Sequence, residues 1–137
     1  MIAALHYNAT KRNRALVQAL ETQESSTHMT IAFVKMHGTG NDFVVLDDLA
    51  SPLPDNFDFS SASLELCARR FGIGGDGLLL LDKSENAPIK MRMWNPDGTE
   101  DMCGNGLRCI AKLAHERGYV GEEFLIETLA GLRRCAI

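Results

Sequence analysis

The sequence predicts one domain that mixes β-strands with helices, and three observations support this. Short runs rich in β-formers alternate with two longer segments whose apolar residues recur at i, i+3, i+4 and i+7. Glycine, proline and asparagine punctuate the chain where one period gives way to the other. The 137 residues are 45% hydrophobic, enough to bury one ordinary core.

Residues 1–28 stand apart from that pattern. They carry Lys11, Arg12 and Arg14, then Gln18, Glu21, Gln23, Glu24 and a polar Ser25–His28 run. Ala15, Leu16, Ala19 and Leu20 fit one side of a short helix, but there is no apolar run of secretory type. The segment is expected to be a disordered N-terminal extension, with Met29 as an alternative start and 29–137 as the folded domain.

Ile31–Met36 predicts a strand, His37–Asp42 a glycine-bearing loop, and Phe43–Leu46 a second strand. Asp47–Phe59, with Pro52 and Pro54, predicts a loop. Ser60 or Ser61 suits the cap of a helix whose stripe is Leu64, Cys67, Ala68 and Phe71, which turns Cys67 toward the core. Gly72–Gly77 ends that helix and opens a strand over Leu78–Asp82. This glycine-rich loop resembles a dinucleotide fingerprint, but it follows a helix and precedes a strand, so nucleotide binding is rejected. Ile89, Met91 and Met93 alternate with Lys90, Arg92 and Trp94, as in a half-buried strand. Pro96-Asp97-Gly98 is a tight turn. The helix after Cys103 presents Leu107, Ile110, Ala111 and Ala114 and stops at Gly118, with Cys109 pointing away from that stripe. Phe124–Thr128 predicts the last strand.

Composition excludes several function classes. A net charge of −4 without a basic face argues against a nucleic-acid partner. No apolar stretch approaches the roughly 20 residues that cross a bilayer. The four cysteines (67, 103, 109 and 135) include no CxxC pair, so no zinc site is expected. Without a signal peptide, free thiols and a cytoplasmic location are the expectation.

The segment Asn95–Cys109 carries the chemistry. A turn hands over to Cys103, then to Gly104-Asn105-Gly106, then to an amphipathic helix. That order sets the thiol at a helix N-terminus, where free N–H groups and the helix dipole favour a thiolate. The same N–H groups form a cradle for a substrate carboxylate. Cys103 could serve as a nucleophile or as a base toward a carbon acid. Nucleophilic use would call for a histidine. His37 begins a glycine loop, while His115 lies about 16 Å down the helix axis. Asn41 and Asn95, each in its own loop, offer ligand amides or turn formers, and Asn105 makes a third.

Three linked motifs then show a resemblance. Lys35-Met-His-Gly-Thr-Gly-Asn-Asp-Phe-Val-Val-Leu-Asp47, Arg70-Phe-Gly-Ile-Gly-Gly-Asp-Gly77 and Asn95–Cys109 resemble, in order and separation, the N-terminal half of diaminopimelate epimerase. The resemblance covers about residues 29–131. It implies an α+β fold: a curled mixed/antiparallel sheet around a central helix, one of two similar domains with the substrate between them. It also implies cofactor-independent, two-base epimerisation of LL- to meso-diaminopimelate for lysine and cell-wall synthesis. By motif position Cys103 is one catalytic thiol, and Asn41, Asn95, Gly104 and Asn105 contact the substrate. Some relatives carry Gln where Gly77 stands. The family's second thiol lies in a C-terminal domain, and Leu132–Ile137 does not resemble its motif. The chain is therefore expected to lack that domain and, on its own, epimerase activity. Three alternatives stay open: an inactive self-associating fragment, a homodimer that opposes two Cys103 thiols, and a related isomerase of the proline-racemase or phenazine-pathway type.

Overall fold

The computed structural model describes residues 2–8 and 28–137. Its strands are β1 (Ile2–Asn8), β2 (His28–Gly38), β3 (Asn41–Asp47), β4 (Gly77–Asp82), β5 (Ile89–Trp94), β6 (Glu100–Asp101), β7 (Glu123–Thr128) and β8 (Gly131–Ala136). Helix α1 (Phe59–Leu66) lies between β3 and β4, and α2 (Gly104–Glu116) between β6 and β7. The strands form one mixed sheet in the order β1-β2-β3-β4-β5-β7-β8, with β6 beside β5. Pairs β3–β4 and β5–β7 are parallel and the others antiparallel.

The core sits at the centre of this sheet, because its strands are apolar on both faces. In β3, Phe43 and Val45 face one way and Val44 and Leu46 the other; β4 splits Leu79 and Leu81 from Leu78 and Leu80 in the same manner. All eight are 2% exposed or less. Each such side chain contributes roughly 1.5–3 kcal/mol by leaving water. Helix α2 covers the first face with Cys109, Ile110, Leu113 and Ala114, joined by Ile89, Met91, Phe124 and Ile126. It contacts β2, β3, β4 and β5, so it is the central helix around which the sheet curls. Helix α1 covers the second face with Ala62 and Leu66, beside Cys67 and Trp94.

Several sequence expectations are corrected. Ile2–Asn8, expected to be without order, pair antiparallel with β2 from Ile2↔Val34 to Asn8↔His28. The helix proposed around Ala15–Leu20 lies outside the described residues. The loop expected over His37–Asp42 shrinks to Thr39-Gly40, because the ladder continues through His37↔Asp42 and Gly38↔Asn41. Asp58, not Ser60 or Ser61, caps α1: its carboxylate accepts from the Ser61 N–H at 3.0 Å. Helix α1 ends at Leu66, because the Ile73 and Gly74 N–H groups turn back to the Leu66 carbonyl. Phe71 is thereby thrown outward and is 97% exposed, whereas Cys67 is buried as read. Trp94 is also buried, stacked on Phe59 with ring centroids 4.6 Å apart. Cys109 belongs to the buried stripe of α2 rather than pointing away from it. Strands β6 and β8 carry no clear alternation and were not expected.

Candidate active site

Cys103 is the N-cap of α2, in extended conformation (φ −131°, ψ 127°), and its carbonyl accepts the first helical bond from Leu107 at 2.9 Å. Its side chain makes no capping hydrogen bond, so the half-buried thiol is left for other contacts. The N–H groups of Gly104, Asn105 and Gly106 precede the first intrahelical bond and, by helix geometry, point out of the N-terminus. Nothing lies within 4 Å of where a Gly104 side chain would begin, so this end of the helix is open. The glycine-rich start therefore leaves open N–H groups, of the kind that can hold an anion, beside a thiol.

The β2–β3 hairpin closes one side of the site. Thr39 (φ 50°) and Gly40 (φ 90°) make a two-residue turn with both residues left-handed, a geometry that matches strand twist. Gly38 then lies directly against α2. A side chain there would begin 3.0 Å from the Asn105 carbonyl oxygen and 3.2 Å from Cys109 Sγ, so only glycine allows this approach.

That approach brings Asn41 and Asn105 together. Asn105 Nδ2 donates to Asn41 Oδ1 at 2.7 Å, although the residues are 64 positions apart. Asn41 Nδ2 donates to Asp76 Oδ2 at 3.1 Å. Arg108 Nη2 donates to Asn105 Oδ1 and, at 3.2 Å, to Thr39 Oγ1. Asp76 also accepts from the Asp42 N–H at 3.1 Å and from Arg69 at 2.9 Å. Arg69 grips Asp42 through both nitrogens at 2.7 and 3.1 Å, and Lys35 adds a 2.8 Å contact. Held first by Arg69 and then by Lys35, the Asp42 carboxyl stays well below the usual carboxylate range.

Asn95 is placed elsewhere. It sits in the β5–β6 turn, where its N–H donates to the Thr99 carbonyl at 2.8 Å and its Nδ2 to Thr99 Oγ1 at 3.1 Å. Among the described residues no hydrogen bond links it to Cys103, Asn41 or Asn105. His37 is exposed and likewise makes no hydrogen bond to Cys103, and His115 Nδ1 meets the Gly121 carbonyl at 3.1 Å. At Gly77, a side chain would begin 2.9 Å from Met93 Cε, so methionine fills the space that a longer residue would need.

Sequence reasoning missed Lys35, Asp42, Arg69, Asp76 and Arg108. Four of them stand inside the three motifs, Lys35 and Asp42 in the first, Asp76 in the second and Arg108 in the third. The Gly72–Gly77 loop, however, reads as a helix end and a rejected nucleotide fingerprint, and neither gives Asp76 a role. Among the described residues no cluster of three His, Cys, Asp or Glu could hold a metal ion, and no helix is long and apolar enough to cross a membrane. An open cleft of about 400 Å³, lined by Met29–Ala32, Leu46, Asp47 and Ser51–Pro54, includes none of the site residues.

Comparison with known proteins bears on this arrangement. The family description diaminopimelate epimerase matches residues 33–137, and so includes the 132–137 segment that the motif resemblance did not cover. The chain is 56% identical over 103 residues to diaminopimelate epimerase of Methanothrix thermoacetophila, covering 74% of this chain and 37% of that protein. It is 50% identical over 102 residues to the Heliobacterium modesticaldum enzyme of the same name, covering 73% and 36%. The chain thus spans little more than a third of the length of these relatives. Among solved structures, the PhzF-family phenazine biosynthesis protein of Bacillus anthracis superposes with a TM-score of 0.58 at 23% identity, over 76% of this chain and 34% of the other. That likeness concerns the fold alone. With three motifs in register and the profile covering Phe33 through Ile137, the chain belongs to the diaminopimelate epimerase family.

Proposed function

We propose that the chain supplies one half of a cofactor-independent epimerase site that interconverts LL- and meso-diaminopimelate, with Cys103 as one of two thiol bases. One observation carries this reading: Cys103 caps α2 without using its side chain, beside open helix N–H groups and the paired Asn41 and Asn105 amides. An α-proton beside a carboxylate is weakly acidic, and no cofactor is invoked here to absorb the negative charge. The charge that develops must then be met by preorganised donors, and the α2 N-terminus is such an array. A thiolate removes the α-proton from one face, and a protonated thiol returns one to the other face, inverting the centre. Asn41, Gly104 and Asn105 are assigned to the substrate carboxylate and amine. Asn95 joins them only if its turn reorganises on binding.

Inversion needs an acid on the opposite face of the α-carbon. Cys67 and Cys109 are buried and Cys135 packs against the core from β8, so none is suited to that role. The chain by itself is accordingly expected not to epimerise. The test is α-proton exchange of LL-diaminopimelate in D₂O under reducing conditions, with Cys103→Ala as control. Exchange that vanishes in the variant supports a working base, whereas no exchange from either protein rejects the assignment. Net formation of the meso isomer by the chain alone would overturn the half-site.

A second reading, an inactive self-associating fragment, is favoured by one observation. Leu125 (41% exposed) and Leu132 (46% exposed) share the outer face of the β7–β8 pair, and Leu129 (64% exposed) stands at its tip. A monomer in sedimentation at about millimolar concentration would eliminate this reading.

A further inference from the structure

We propose that Asp76 is a positioning residue which, with Arg108, fixes the direction of both site amides. The inference rests on the proposed function only for the identity of the ligand. Asp76, Asn41, Asn105 and Arg108 form one continuous hydrogen-bonded row drawn from the loop before β4, from β3 and from α2. Its two ends have no choice of role. An ionised carboxylate only accepts and a guanidinium only donates, whereas each amide between them can serve either way round. Asp76 therefore turns Asn41 Nδ2 toward itself, which leaves Asn41 Oδ1 to accept from Asn105 Nδ2. Arg108 in turn selects Asn105 Oδ1. The two ends agree, so the row has a single polarity.

The consequence lies in what remains unused. Each amide nitrogen carries two N–H groups and spends one inside the row, so Asn41 and Asn105 each keep one N–H for a ligand. Two fixed donors beside the α2 N-terminus suit a carboxylate. With either amide reversed, a carbonyl oxygen would stand in place of a donor and repel the anion. The backbone holds Asp76 in turn, since its N–H donates to the Asp42 carbonyl at 2.7 Å while its side chain receives the Asp42 N–H. Arg69 bridges the two carboxylates, at 2.7 Å to Asp42 and 2.9 Å to Asp76, and so ties Asp76 to the start of β3.

The test compares the full chain with Asp76→Asn, in which the end of the row can accept or donate, and with Arg108→Gln, which removes the same constraint from the other end. Side-chain amide resonances are assigned with Asn41→Asp and Asn105→Asp, and their exchange with water is followed by NMR. In the parent chain one proton of each amide should be slowed. Asp76→Asn should speed exchange at both residues, and Arg108→Gln chiefly at Asn105. Unchanged exchange in both variants, with backbone spectra intact, would overturn the proposal. Should Asp76→Asn not fold, Arg108→Gln decides alone. Titration with diaminopimelate gives the second readout: roughly tenfold weaker binding in the variants, about 1.4 kcal/mol, is expected. Equal binding would overturn the link to the ligand. A parent chain that binds no diaminopimelate would reject the proposed function, while the exchange result would still decide the role of Asp76.

Discussion

Cys67 lies in the core beneath α1, where burial pushes its thiol up to about 11. Burial also raises Cys109 and Cys135 above the usual thiol range. Cys103 alone combines partial exposure with a helix N-terminus. Iodoacetamide at about pH 8 should therefore label Cys103 first and Cys67 last, since a thiol near 11 is only about a thousandth ionised there. Peptide mass mapping over time gives the order, and preferential labelling of Cys109 would contradict it. The place of Cys103 at the start of α2 was legible in the sequence because a helix start is a local event: turn residues before it and glycines after it are enough to place it. Asp76 and Arg108 were not legible in the same way. Their partners lie far off in sequence, Asn41 being 35 positions from Asp76 and Thr39 being 69 from Arg108, and no local pattern encodes such a contact.

The strands at the centre of the sheet were the readable elements, because uninterrupted apolar runs can only be covered on both faces. The ends of elements were less so. The carboxylate of Asp58 outcompeted two serines for the cap, and a returning chain cut α1 before the stripe of its own sequence was complete. The β2–β3 hairpin shows how an element boundary builds a site. Its ladder reaches Gly38, and this brings the hairpin against the first turn of α2. Gly38→Ala should push the two apart. We expect a loss of roughly 1–3 kcal/mol in urea unfolding, as for other overpacked sites. The Asn41–Asn105 hydrogen bond should weaken along with it, visible as faster exchange of those side-chain amides. An unchanged midpoint and unchanged exchange would show that the approach is looser than the geometry indicates.

Lys35 from β2, Asp42 from β3, and Arg69 and Asp76 from the loop before β4 bind three parts of the molecule into one charged cluster. Because the Asp42 carboxyl titrates far lower in the folded chain than in the unfolded one, its pairing stabilises the fold above the unfolded value near 4. That contribution drains away as pH falls from about 5 toward 2. The buried Cys67 thiol gives the opposite trend: its stabilisation holds below the ordinary thiol range and fades as pH rises toward about 11. Urea midpoints should thus peak between about pH 5 and 8, and Asp42→Asn should flatten the acid limb. An acid limb that survives in the variant would move the cause to other carboxylates. The sheet order has a further consequence, in handedness. The chain steps the same way across the sheet from β3 to β4 as from β5 to β7, each time through a helix between parallel neighbours. Between those steps the antiparallel β4–β5 pair reverses the direction of travel. Two crossovers of one hand, run in opposite directions, must lay their helices on opposite faces, and the right hand is the one that twisted strands favour. A single reversal of the chain is therefore what puts the cysteine-bearing helix inside the curl and its counterpart outside.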